Sequence, residues 1–138
     1  MSKKLHELWL EHAADDLRSA EVLLEAGVFS MVCFHAQQAM EKTLKALLAA
    51  ARHPIPRIHN LIRLRQMVEE AISASLELDQ EGLLFLNDVY LDSRYPTDLG
   101  LFPSGLPDVE DTRRAYHYAD DMWHQLTGRL HELIGPRN

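Results

Sequence analysis

Apolar residues recur at spacings of three and four along almost the whole chain, the period at which side chains share one face of an α-helix. No stretch alternates with the period of two expected of a strand. The pattern predicts an all-α protein. Leu10, Ala13, Leu17, Ala20 and Leu24 form one stripe that stops at Gly27, a residue able to take the left-handed helix-ending conformation at little steric cost. Ser30 is the predicted N-cap of a second helix facing inward with Val32, Ala36, Ala39, Thr43, Ala46 or Leu47, and Ala50; Pro54 and Pro56 forbid its continuation.

A third helix is predicted near Asn60 to Ala71, with Leu61, Leu64 and Val68 on one face, and a fourth near Asp79 to Asp92, carrying Leu83, Leu86, Val89 and Tyr90. Arg94 to Pro107 follows, with three prolines and two glycines. Irregular connections of more than about a dozen residues are uncommon and often serve a site. Asp108 can cap the last helix, with Glu110 and Asp111 in its electropositive first turn. From there Val109, Thr112, Tyr116, Ala119, Trp123, Leu126, Leu130 and Leu133 keep the spacing over about seven turns. The expectation is an up-and-down bundle of about five helices, four long and one shorter.

A length of 138 residues predicts a single domain over 1–138. No apolar run approaches the ~20 residues that span a bilayer. The charged, then amphipathic start from Met1 to Glu7 lacks the apolar core of a secretory signal, so a cytoplasmic protein without membrane attachment is expected. The lone Cys33 lies among apolar neighbours and reads as a small buried hydrophobe. A formal charge of −7 argues against generic binding to nucleic-acid phosphates. The one basic patch, Arg52, His53, Arg57, His59, Arg63 and Arg65, reads first as a solvated turn near a helix C-terminus.

Placed at about 100° per residue, the second helix puts His35, Gln38, Lys42 and Lys45 on one side of its apolar stripe and Gln37 and Glu41 on the other. Glu41 and Lys45 would pair at i,i+4, contributing about 0.3 kcal/mol on an exposed helix. His35 has no carboxylate or imidazole at useful helical spacing, and no metal site is predicted around it. His117, His124 and His131 share a face, but adjacent ones lie about 10 Å apart along the axis, too far to chelate one ion. Where the fourth helix gives way to the long connection, Tyr90, Asp92, Arg94, Tyr95 and Asp98 cluster; an arginine between aromatic rings can hold a phosphate or stack on a base.

Two segments, Gln37-Gln38-Ala39-Met40-Glu41-Lys42 within the second helix and Arg94-Tyr95-Pro96 after the fourth, resemble the HEPN family, the small all-α domains of prokaryotic toxin–antitoxin and nucleotidyltransferase-associated proteins. The resemblance runs from Trp9 to Trp123. It implies a non-catalytic module that dimerises and works beside a minimal nucleotidyltransferase. A nucleotide or RNA end would be held by Arg94, Tyr95, Tyr90, Asp92, Lys42 and Gln38, with no cofactor. Trp9, Phe34, Leu44 and Leu48 lie off their helices' main seams, which would suit a homodimer.

Many members of that family are metal-independent ribonucleases in which an arginine is followed four to six residues on by a histidine. The cation stabilises charge developing on the phosphate and the imidazole acts as acid or base. No histidine follows Arg94 as far as Leu101, so cleavage would need an atypical constellation of Arg94 with His35 or His59. Arg52 and His59 have the right spacing, but between the wrong helices. The alternative reading is therefore an atypical ribonuclease toxin, and a third is a structural oligomer.

Overall fold

The computed structural model describes residues 2–94 and 107–134, with side chains described for 2–89 and 107–133. The described residues form helices and connections, with no strand: α1 (Leu5–Ala26), α2 (Phe29–Ala50), α3 (Leu61–Ile72), α4 (Gln80–Arg94), α5 (Val109–Gly128) and α6 (Leu130–Ile134). None is long and apolar enough to cross a membrane.

The α1–α2 reversal turns on Gly27. Its φ of +78° lets its N–H reach the carbonyl of Leu24 and the N–H of Val28 reach that of Leu23, satisfying two carbonyls at the helix end. Helix α2 therefore begins at Phe29, and the Val32 N–H already bonds the carbonyl of Val28. The expected Ser30 cap is thus corrected: Ser30 sits inside the first turn because the reversal delivers the chain in helical register two residues earlier, with Val28 at the N-cap position.

Helix α2 is the centre of the structure, packed against α1, α3, α4, α5 and α6. Fourteen of its 22 residues are buried, against four of 22 in α1, so the inward face predicted for it describes only part of what it buries. Met40, Leu44 and Leu48 join the expected stripe in the core. Leu44 and Leu48, read from the sequence as surplus apolar surface for a dimer, are fully buried within one chain and call for no partner.

α2 ends in the same bonding pattern as α1, but the left-handed residue is Arg52, at φ +62°. Its N–H bonds the carbonyl of Ala49 and that of His53 bonds Leu48. Asn60 caps α3 by accepting the Arg63 N–H, and Asn87 of α4 accepts the Leu61 N–H, fixing the start of α3 against α4. α4 lies close to α5 at Gly82, where a Cβ would stand 2.5 Å from the Tyr118 ring.

Asp108 caps α5 as expected, and Asp111 at the third position returns the bond to complete a reciprocal capping box. The predicted seven-turn helix breaks after Gly128, and α6 carries on from Leu130. Glycine is a poor helix former, and Arg129 adopts φ −114°. Leu126 and Leu133 nevertheless both reach the core. The buried face of α5 runs through Thr112, Ala115, Ala119, Met122 and Leu126, while Tyr116 and Trp123 lie at its edge.

Candidate functional site: two carboxylates in a polar layer

Two acidic side chains are buried on α1 and α2, and each gathers a lysine and a histidine. Asp16 of α1 accepts from His35 Nδ1 at 2.8 Å on Oδ1 and from Lys42 Nζ at 2.6 Å on Oδ2. One turn of α2 separates Lys42 from Lys45, and there the second carboxylate stands. Glu41 Oε2 accepts from Lys45 Nζ at 3.0 Å, and Oε1 lies 2.9 Å from His59 Nδ1. Oε1 also accepts from the side-chain amides of Gln37 at 3.4 Å and Gln38 at 3.3 Å. Gln37, fully buried, donates at 3.1 Å to the carbonyl of His59 as well. The network thus ties the α2–α3 connection to α2.

Taking a carboxylate out of water is costly unless an opposite charge and enough donors go with it. Here each carboxylate has one ammonium, so each acid is matched by a lysine of opposite formal charge. A neutral ring facing a carboxylate keeps its proton on Nδ1, and its Nε2 is then an acceptor. His59 is 58% exposed at the side chain, against 22% for His35. His59 is thus an imidazole oriented from below by a buried carboxylate, a common component of acid–base sites. Lys45 has a second neighbour, the Trp9 ring, whose centroid is 5.8 Å from Nζ.

This arrangement corrects the sequence picture in two ways. Gln38, placed with His35 and Lys42, bonds instead to Gln37 and Glu41; a long flexible side chain wraps around a helix further than its Cα position indicates. The Glu41–Lys45 pair, expected on an exposed helix, has side chains only 5% and 7% exposed, so it belongs to the interior. Arg94, Tyr95, Tyr90, Asp92 and Asp98, the other candidate binding residues, have side chains outside the described residues. Of the basic patch, Arg52, Arg57 and Arg63 are exposed, whereas Arg65 turns to Gln80, the carbonyl of Leu76 and Glu69. His117, His124 and His131 are exposed on the surface.

Asp16 escaped the sequence reading, although its position on the stripe between Ala13 and Ala20 marks it as inward-facing. Arg114 escaped it as well. Its guanidinium lies 4.3 Å from the Phe85 ring centroid and 5.7 Å from that of Tyr118, with Glu81 at 3.2 Å. It is an aromatic-flanked arginine assembled across α4 and α5. Among the described residues no three His, Cys, Asp or Glu side chains are grouped to hold a metal ion.

The family described as HEPN domain matches residues 6–128. The crystal structure of TT1696 from Thermus thermophilus superposes with a TM-score of 0.75 at 25% identity, covering 92% of this chain and 99% of that one. ST0689, titled an archaeal HEPN homologue, superposes with a TM-score of 0.69 at 23% identity, covering 94% and 99%. No curated protein matches the chain.

Proposed function

This chain belongs to the HEPN domain family, and we propose that within it the protein is a non-catalytic module that forms a homodimer and acts beside a minimal nucleotidyltransferase. It holds a nucleotide or RNA end where α4 runs into the following connection, through Arg94, Tyr95, Tyr90 and Asp92, with Lys42 and Gln38 contributing from α2. The observation that supports this reading is the inward use of the family-like helix. Gln37, Glu41 and Lys45 are buried and spent on one another, on Gln38 and on His59. Their internal bonding hands them a task in holding the bundle together, and no histidine stands four to six residues after Arg94 to complete the family's cleavage pair.

One observation favours the second reading, an atypical ribonuclease: His59, partly exposed, is oriented by Glu41 as an acid–base group would be. A metal-free RNA cleavage assay separates the two. Wild type, Arg94→Ala and His59→Ala are expected to leave RNA intact, with nucleotide binding measured by calorimetry weakened in Arg94→Ala. Cleavage by the wild type that either substitution abolishes would overturn the non-catalytic reading.

A further inference from the structure

The α1–α5 face holds a groove of about 250 Å³, remote in sequence from the Arg94 segment, with Leu17, Arg18 and Glu21 on one side and Tyr116, Asp120 and Trp123 on the other. Tyr116 spans it, its hydroxyl donating to Glu21 Oε2 at 2.9 Å. Burial and that bond push the phenol up to about 12, so it remains a donor. Asp120 Oδ1 lies 3.3 Å from His124 Nε2. The groove therefore combines two aromatic rings with two carboxylates, and Arg18 is the single fixed cation among the described residues that line it. The surroundings carry the same sign. Arg18 is the only Lys or Arg in α1, which has six acidic residues; beyond Arg114, α5 has none, while Asp120 and Asp121 are adjacent.

Aromatic faces attract cations, and carboxylates beside them add charge and hydrogen-bond acceptors. A lysine or arginine side chain suits such an open groove, because its apolar stem can lie along the rings while its charged head meets the carboxylates.

We infer that this groove docks a basic peptide segment of a partner protein, seating a lysine or arginine side chain between Tyr116 and Trp123 against Asp120 and Glu21. Arg18 lowers the affinity for such a cation, and its removal acts opposite to the loss of an acid. That opposition is the test.

Calorimetric titration of the full chain at low salt with a short lysine–glycine peptide should show saturable binding that weakens as salt rises. Asp120→Asn should weaken it about tenfold and Arg18→Ala should tighten it severalfold, whereas Glu132→Gln on α6 should leave it unchanged. All three positions are outside the core, and circular dichroism checks that the variants remain folded. Absence of binding, or equal losses from Asp120→Asn and Glu132→Gln, would overturn the proposal. So would tightening by Asp120→Asn with loss in Arg18→Ala, the signature of an anionic ligand. Spermine binding as tightly as the peptide, with the same response to Asp120→Asn, would overturn the assignment to a peptide.

Discussion

At the scale of single residues, Glu41 shows how burial changes the meaning of a charge. On a solvated helix its pairing with Lys45 would be marginal, but inside the bundle removing one partner leaves the other uncompensated. Glu41→Gln keeps the shape but leaves the buried Lys45 ammonium without its carboxylate partner. It should lower stability by roughly 3 kcal/mol in chemical denaturation, and a change below about 0.5 kcal/mol would show that the layer is not the support described above. Cys33, fully buried, has its thiol raised to about 12, mainly by burial and secondarily by Asp111. The raised value means that the folded chain favours the protonated thiol. The associated stability is present below the ordinary value of 9.0 and is lost as pH climbs through about 12. Native protein at pH 8 should thus resist iodoacetamide and react promptly once unfolded in denaturant; prompt labelling of the native chain would contradict this burial. The inertness of Cys33 was legible from its apolar neighbours. The pairings of Asp16 and Arg114 were not, because their partners come from another helix whose packing the spacing along one helix does not reveal.

At the scale of elements, helix ends show what a sequence signals and what it conceals. α1, α2 and α3 all end on a left-handed residue, Gly27, Arg52 and Ser73, yet only the glycine announces itself. The end of α2 could be read solely from the prolines beyond it. The break at Gly128 was hidden by an apolar spacing that continues unchanged across it, since Leu126 and Leu133 meet the same core from two different helices. Gly82 is a separate matter, because its role is close approach. A methyl group there would stand 2.5 Å from the Tyr118 ring and 2.9 Å from Met122 Cε. Gly82→Ala gains helix propensity of about 1 kcal/mol but forces a rigid ring aside, and strain of this type typically costs about 1–3 kcal/mol. The variant should have a lower melting temperature. An unchanged or higher one would mean that α4 and α5 separate easily at this point.

At the scale of the whole molecule, fold class was legible because five amphipathic runs with clear stops leave few alternatives to a bundle. The position of α2 was less so. A stripe analysis assumes one wet face, whereas α2 has almost none, and its polar residues looked like surface chemistry until they were found facing Asp16 and His59. A bundle organised around such a mast has an unequal freedom to vary. On α2, a new side chain must fit a filled space or enter a charge-balanced network, so altering what the protein recognises by editing this helix risks unfolding it. The outer helices carry no such obligation: α1 leaves most of its residues at the surface, and much of α5 lies there too. Novelty in partners or ligands can thus accumulate on the periphery while the mast is left alone, and one scaffold can serve many clients without solving its folding problem again.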